Sequence, residues 1–599
     1  MIWAQINAYA RVTAVSGTTL SLSSVNQTYH TFAAGEQIIV MQMQDTVIGA
    51  DTLNNVSFGT IGSIANVGKY EVATISSVGG MPSSLIITSG LSNVYNINAN
   101  ARVQVISFNL LSATNYTIAS PITGVAWNGQ VGGVVAFQVG GTLTLGSSVS
   151  ADGLGFRGGS VNSTAYEVSC EPNVYDTTST KYGFKGEGIY ASPTISYTSH
   201  TGRGPLLNGG GGGSDDNGGG GGGGNYTSGG QGGQGWTCTT GTASGGLGGI
   251  ALGSYTTGSR IFMGGGGGGG QQNNSVATGG KAGGGGVLIK ADVLTTSCSG
   301  SVAISANGLV GATSGNDGGG GGGAGGTIVL QVNTFTVSSS CPLNLQSSGG
   351  NGGNVGDARA HGGGGGGGQG AIVYTVAIPT ANVTSSAANG TGGLNSNSTG
   401  ATSAGSGGGT DNSGVITSTV LPIAFISFAA ARSGGDVLLD WSTSAVSQSV
   451  SFRVWRSADG QNFHAIASLP GDVAENSYSF EDAGPGTGKW YYRIESVDLS
   501  GRSNFTPVIP VDLSGITNAF ALFPNPSSSG RFTIRMQQAS DLSFLVEIED
   551  LSGKILHMQM ARPAGHLIDV ATDKRLAAGI YIVRLTGNGY MQIGKLVVR

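Results

Sequence analysis

"GNDGGGGGGAGGTIVLQV" (residues 315–332) admits two readings. Its six consecutive glycines are a flexible spacer that happens to precede a strand, which is the usual behaviour of polyglycine. Alternatively, the glycine is itself the architecture. The surrounding sequence favours the second reading. Glycine makes up 112 of 599 residues, more than twice the ordinary share of about 7%. The excess lies between about residues 205 and 410. The long runs are 218–224, 264–270, 318–323 and 362–368, with centres roughly 45–55 residues apart. A linker has no reason to keep time with the strands around it.

Those strands repeat. "GGVVAFQVGGTLTLGSSVSADGLGFRGG" (132–159) runs from glycine through apolar strands and back to glycine. "GGGGVLIKADVLTTSCSGSVAISANGLVG" (283–311) and "AGGTIVLQVNTFTVSSSCPLNLQSSGGNGG" (324–353) share the same plan, and "QGAIVYTVAI" (369–378) starts it again. Cys298 and Cys341 occupy the same place in successive copies, 43 residues apart. That period suits the coils of a solenoid, where equivalent positions stack. A Cys298–Cys341 disulfide is therefore expected, leaving Cys170 and Cys238 as the second pair. No two cysteines form a CxxC, which argues against zinc or thioredoxin-type chemistry.

Physical chemistry sharpens the glycine question. Ordering one residue costs about 1–2 kcal/mol, so seven glycines cost roughly 7–14 kcal/mol with no side chain to bury. One isolated run cannot recover that. Several runs side by side can, because glycine adopts an extended three-residue helix and lets backbones approach closely. Their N–H and C=O groups then bond between runs. The expectation is a polyglycine II bundle carried on β-solenoid-like coils.

The fold class expected is all-β, with no amphipathic helix. Residues 1–130 read as an N-terminal β domain containing "QIIVMQMQDTV" (37–47) and "ARVQVISFN" (101–109). Residues 131–380 are the glycine-rich repeat domain, and the polar stretch 381–416 is a linker. Residues 417–513 and 514–599 form two small β-sandwich modules. "MIWAQINAYARV" lacks the 7–15-residue apolar core of a secretory signal, and "WAQ" looks like the end of one, so the natural start is expected upstream.

Composition limits the partners. The net charge is −5 and charged residues are 10%. No basic stripe or aromatic RNA motif appears, which argues against nucleic acid. No apolar run reaches about 18 residues, so no spanning helix is expected.

Two modules carry resemblances. "DVLLDWSTS" (436–444), "SFRVWRSADGQNFHAIASL" (451–469) and "KWYYRIESVDLSG" (489–501) resemble a fibronectin type III-like sandwich. Trp441, Trp455 and Tyr492 would then be core residues. "FPNPSSSGRFTIRM" (523–536), "VEIEDLSGKILHMQM" (546–560) and "LAAGIYIVRLTGNGYMQIGKLVVR" (576–599) resemble the C-terminal sorting domain of the type IX secretion system of Bacteroidota. The matching positions are Phe523-Pro524-Asn525-Pro526, Gly530, Gly553-Lys554, Gly579-Ile580-Tyr581 and Lys595 to Arg599. This resemblance implies export to the cell surface or beyond, engagement of the secretion machinery, and a compartment that permits disulfides. Such domains are commonly removed on export. "FAAGEQIIVMQMQ" (32–44), "WNGQVGGVVAFQV" (127–139), "GLGFRGG" (153–159), "GFKGEGI" (183–189) and "RIFMGGGGGGG" (260–270) resemble a family of glycine-rich bacterial surface proteins. Thr46, Thr52 and Thr177 each come directly after an aspartate in a tripeptide resembling Bacteroidota O-glycosylation sites.

Catalytic signals are weak. "HGGGGGGG" (361–368) has no GxSxG elbow to accompany it. "GGKA" (279–282) lacks the hydroxyl a phosphate loop places after its lysine. "SDDNGG" (214–219) and "GNDGG" (315–319) hold oxygen ligands of the type calcium takes, but turns and caps use the same residues. No cofactor is expected. Asp152 and Glu187 are the carboxylates a glycosidase reading would use. The expectation is a non-enzymatic surface protein, an adhesin or the subunit of an extracellular fibre, with copies of itself or surface glycans as partners. The alternative is a secreted carbohydrate-binding protein or polysaccharide-degrading enzyme. The strand in "INAYARVTAV" is where a fibre contact is expected.

Overall fold

The computed structural model describes residues 3–46, 58–80, 83–162, 181–191, 198, 200–214, 216–236, 244–357, 361–376, 378–395, 407–408, 415–417, 425–433, 435–443, 451–471, 477–497, 503–513, 520–528, 530–536, 542–572, 574–587 and 590–599. Within them the chain is all-β, with one short 3₁₀ turn at Gly253–Tyr255.

The stretch "TIVLQV" shows how the middle of the chain is built. It lies in the strand Thr327–Thr336, which pairs in parallel with Gly286–Thr296 on one side and Ala371–Tyr374 on the other. Ile328, Leu330 and Val332 face one hydrophobic cluster, while Val329 faces another. A parallel strand covered on both faces needs an unbroken apolar run, and the glycines lead directly into one. An eight-stranded sheet extends this pairing through Val134–Val139 to Asn109–Ser112, and through Ala371–Tyr374 to Val415–Thr417. Opposite it lies a six-stranded sheet, also parallel, in the order Ala4–Gln5, Ile122–Thr123, Val149–Ser150, Val302–Ser305, Leu343–Gln346, Val383–Ser386. Each coil supplies the wide sheet first and the narrow sheet second. The space between them is filled by Val135, Phe137, Leu143, Val149, Ile289, Ile304, Leu330 and Leu345, all buried. The Cys298–Cys341 disulfide joins neighbouring coils at a Cα separation of 5.2 Å.

The glycine runs are ordered. Gly219 and Gly222 donate their N–H groups to Gly233 and Gly230. Gly220 and Gly223 donate to Gly319 and Gly322, and Gly221 and Gly224 to Gly211 and Asn208. Successive residues thus bond three different neighbouring segments and the pattern returns every third residue. The run 318–323 repeats it, with Gly319 and Gly322 bonding Gly362 and Gly365, and Gly318 and Gly321 bonding Gln271 and Gly268. A Cβ added at Gly321 would sit 2.0 Å from the Gly221 carbonyl oxygen, and one at Gly222 would sit 2.0 Å from that of Gly366. Only glycine fits.

Between Tyr9 and Ser107 a closed antiparallel barrel is formed by Tyr9–Ser16, Thr19–Asn26, Ser84–Ile87, Tyr70–Val78, Gln37–Gln44 and Arg102–Ser107. Its interior holds Ala10, Val12, Leu20, Ile38, Val40 and Val105. Its outer side packs on the wide sheet through Tyr9, Ile39, Met41 and Phe108 against Ala136, Leu288 and Val329. Asn7 ties the two, donating to the Ser107 and Ala136 carbonyls at 2.8 and 2.6 Å.

Three expectations are corrected here. The strand in "INAYARVTAV" is not a free edge: Tyr9–Ser16 pairs on both sides, with Thr19–Asn26 and Arg102–Ser107. The boundary at 130 cuts through the coils, because Ala4–Gln5, Asn109–Ser112 and Ile122–Thr123 belong to the parallel sheets. The linker 381–416 contains the strand Val383–Ser386, and its Gly390 and Gly393 donate to Gly367 and Gly364 of the last glycine run. Polar composition misled there, because an end coil has less apolar area to cover.

The two C-terminal modules are two-sheet sandwiches. In the first, Phe425–Ser433, Asp436–Thr443 and Ser477–Asp482 oppose a sheet centred on Ser451–Ser457 and Lys489–Val497. Trp441 and Tyr492 are buried in its core. Trp455 is not part of that core. Phe452 and Val454 alternate inward, so Trp455 falls on the other face and bonds Glu495 through its indole N–H at 2.8 Å.

Candidate functional site

The second sandwich carries the best-defined site. Ala521–Phe523, Arg531–Arg535 and Leu567–Ala571 form one sheet. Ile555–Ala561, Phe544–Glu549, Gly579–Gly587 and Tyr590–Val598 form the other. Alternating residues of both, among them Phe532, Ile534, Val546, Ile548, Val583 and Leu596, make the core.

The segment Pro524-Asn525-Pro526, directly after Ala521–Phe523, is fastened to the last strand. Asn525 Nδ2 donates to the Lys595 carbonyl at 2.7 Å, and the Val597 N–H donates to Asn525 Oδ1 at 2.8 Å. A primary amide offers both donor and acceptor, so it imitates one rung of a ladder. Both prolines lack an N–H. The pairing resumes at Ser527, whose N–H bonds the Val597 carbonyl and whose carbonyl accepts from Arg599 N–H. Gly530 sits at φ +75°, where a side chain is strained, and donates to Ser527 Oγ at 3.0 Å. Gly553 turns at φ +84°. Asp550 caps that turn, and hydrogen bonds from the Ser552 hydroxyl, then from the Lys554 N–H, hold its carboxyl below the usual range. Tyr581 donates its hydroxyl to the Ala577 carbonyl at 2.8 Å beside Gly579. The sequence motif therefore brings Asn525, Lys595 and Arg599 together; Ser527, which completes the clamp, was not singled out by it.

The other sequence-selected residues are dispersed. Asp152 accepts from Ser305 Oγ at 2.9 Å and from Asn307 N–H at 2.5 Å, joining two coils. Glu187 is buried and accepts from Arg157, Gln44 and Trp127 side chains at 2.9, 3.3 and 3.1 Å. The two carboxylates share no partner among these bonds. Each is held by structural donors, and Glu187 links barrel to glycine region. Asp317 accepts from the N–H groups of Asn273, Asn274 and Val276, the turn-capping role. The Lys281 N–H joins the glycine network by donating to Gly321. His361 is buried beside Trp236, with ring centroids 6.4 Å apart. Thr46 Oγ1 accepts from Asn98 at 3.0 Å. Thr52, Thr177, Cys170 and Cys238 lie outside the described residues. No group of three or more metal-ligating side chains gathers among the described residues. No helix there is long and apolar enough to cross a membrane.

Residues 520–599 thus form a small sandwich whose last strand is clamped by an Asn between two prolines. Residues 521–599 match the family described as the secretion system C-terminal sorting domain. The protein is accordingly cargo of the type IX system, exported to the cell surface or extracellular space. No curated protein matches the chain. Among solved structures, it is similar to dimeric latent PorU from Porphyromonas gingivalis, at 18% identity and TM-score 0.13, covering 33% of this chain and 23% of that one. It is also similar to the BSP domain of a biofilm-associated protein, at 13% identity and TM-score 0.12, covering 28% and 29% of the two chains. A third similarity is to the FN1–FN3 domains of chicken CNTN1, at 10% identity and TM-score 0.12, covering 29% and 66%. The overlap spans less than two thirds of each of these structures.

Proposed function

We propose that this protein is a non-enzymatic structural component of the cell surface, an adhesin or the subunit of an extracellular fibre. One observation carries the reading. The glycine runs exchange backbone hydrogen bonds with three neighbours in turn and leave no room for a Cβ. In this reading they are polyglycine II helices, packed on the coil stack as a rigid body. Such a body presents few side chains for chemistry and offers mechanical and proteolytic resistance. The module at 425–513 serves as a fibronectin type III-like spacer before the sorting tail. Asp152 and Glu187 do not pair, so a two-carboxylate glycosidase gains no support from them.

Hydrogen exchange tests the rigid bundle. The amides of 318–323 and 362–368 should exchange as slowly as those of the strand Thr327–Thr336; rapid exchange throughout would remove the reading's foundation. Electron microscopy of the exported protein separates filaments from monomers, and a glycan array tests adhesion. A sugar-release assay that responds to Asp152→Asn or Glu187→Gln would favour the enzyme instead.

A further inference from the structure

The outer face of the first sandwich holds an arginine among aromatic rings. Arg493 lies on Lys489–Val497, an inner strand of the sheet ordered His464–Pro470, Ser451–Ser457, Lys489–Val497, Ser503–Phe505. Three neighbouring elements each bring one ring to it. Trp455 is its cross-strand partner on Ser451–Ser457. Phe505 ends the strand on the other side, and Phe463 directly precedes His464–Pro470. The guanidinium carbon lies 4.3 Å from the Phe463 ring centre, 4.4 Å from that of Phe505 and 5.6 Å from that of Trp455. All three distances are those of cation–π attraction. The Trp455 ring is itself fixed by its indole bond to Glu495.

A guanidinium carries five N–H donors. Those of Arg493 meet no acceptor among the described residues, and its Nε is buried without a hydrogen bond. Two nearby arginines show the contrast. Arg456 lies over the Trp490 ring at 4.8 Å and donates from Nη1 to both oxygens of Asp482 at 3.0 Å. Arg453 pairs with Glu495 at 3.6 Å. Arg493 has the ring contacts without the carboxylate. Burial lowers its pKa and the charge of Glu495 opposes that shift, but the Glu495 oxygens are engaged by Trp455 and Arg453. The cation has given up water without gaining a bonded anion.

The chemistry narrows the ligand. One unshared cation suits a single negative charge better than the near-double charge of a phosphate, which arginine clusters hold. The rings add apolar faces, and Phe505 is 38% exposed. A uronic-acid sugar offers both complements, a planar carboxylate and a flat face of C–H groups. An aspartate or glutamate side chain offers the carboxylate alone.

We propose that Arg493, with Phe463, Trp455 and Phe505, forms a binding site for an acidic polysaccharide of the uronic-acid class. This rests on the adhesin reading and names its ligand. The terminal nitrogens of Arg493 take the carboxylate as a bidentate pair, and the exposed Phe505 ring stacks on the sugar.

The test presents full-length exported protein to galacturonate, glucuronate and mannuronate oligosaccharides, to their methyl esters, to the neutral parent sugars and to an Asp/Glu-rich peptide. The expected result is retention of the acidic oligosaccharides alone. Arg493→Gln should weaken that binding about tenfold or more, the usual effect of losing a charge-assisted pair. Arg493→Lys keeps the charge without the fork and should recover only part of it. Phe505→Ala should weaken binding by a smaller factor while melting near the wild-type temperature. Should Arg493→Gln melt early, the esters decide on wild-type protein, because equal binding of acid and ester overturns the proposal. Acidic oligosaccharides held equally by wild type and a folded Arg493→Gln overturn the site and leave the adhesin reading standing. Retention of neutral glycans only does the same. No glycan bound at all overturns both the site and the adhesin reading. Preference for the peptide assigns the cage to a protein partner and also overturns the proposal.

Discussion

Gly321 shows why one methyl group matters at the residue scale. A Cβ there would lie 2.0 Å from the Gly221 oxygen, against rigid backbone on a neighbouring run. Gly321→Ala must separate two runs and lose their hydrogen bonds, so it should lower the melting temperature by an amount corresponding to about 3 kcal/mol or more. Gly80→Ala, where a Cβ meets nothing within 4 Å, is the control and should be near neutral. Equal melting of the two variants contradicts the packing. Lys290 makes a second prediction. It lies between Gln138 and Gln331 in the wide sheet, and burial pulls its ammonium from an ordinary value of 10.5 down to about 8. The folded state binds this proton less tightly than the unfolded chain, so stability should rise as pH climbs from about 8 to 10.5. Lys290→Met should flatten that rise and stabilise the protein at pH 7, by on the order of 3 kcal/mol at most. Melting curves across that pH range check the sign. The carboxylates Asp152 and Glu187 belong to this scale too. Their residue types were legible, but their partners come from segments far away in sequence, such as Ser305 and Gln44.

At the scale of elements, the coil is the working unit. Its strands were readable because a parallel strand covered on both faces must be continuously apolar, as in "TIVLQV". Its disulfide was readable because stacked equivalents lie adjacent and the two cysteines share one phase. Replacing Cys298 and Cys341 together with alanine removes a 43-residue closure. The entropy of that loop sets the expected loss at about 4 kcal/mol or less, seen as a lower melting temperature of the coil stack with no change in β content. An unchanged melting temperature means neighbouring coils already restrict the unfolded chain. The strand Val383–Ser386 was not readable as part of this unit. Two of its four residues are exposed and no apolar run precedes it, so only pairing with Leu343–Gln346 identifies it. Trp455 failed for a related reason, because strand alternation with the inward Phe452 and Val454 puts it on the other face, and aromatic character alone does not say which face a residue takes.

At the scale of the whole molecule, the chain separates address from body. The sorting tail occupies 521–599 and closes its own core. Deleting 521–599 should strand the protein in the periplasm, and the same segment fused to an unrelated carrier should direct export. Fractionation with an antibody against the body measures both. Export of the truncated chain would place the signal elsewhere. Residues 1–130 were expected to form a separate N-terminal β domain; the structure places a barrel there. It is instead an insertion between the narrow-sheet strand Ala4–Gln5 and the wide-sheet strand Asn109–Ser112, so its packing on Ala136 and Val329 belongs to the same body as the coils.

The amino-acid order was enough for the all-β class, the coil period, the Cys298–Cys341 pair and the sorting tail. Each depends on local composition, on spacing along the chain or on a short motif. Contacts in three dimensions set the rest: which glycine run bonds which, that the strand in "INAYARVTAV" is enclosed in a barrel, and that the strand Val383–Ser386 continues the narrow sheet. Glycine has no side chain to encode a partner, so a run of six carries the capacity to pack but not the identity of its neighbours. That identity is set by the strands and turns that hold the runs in place.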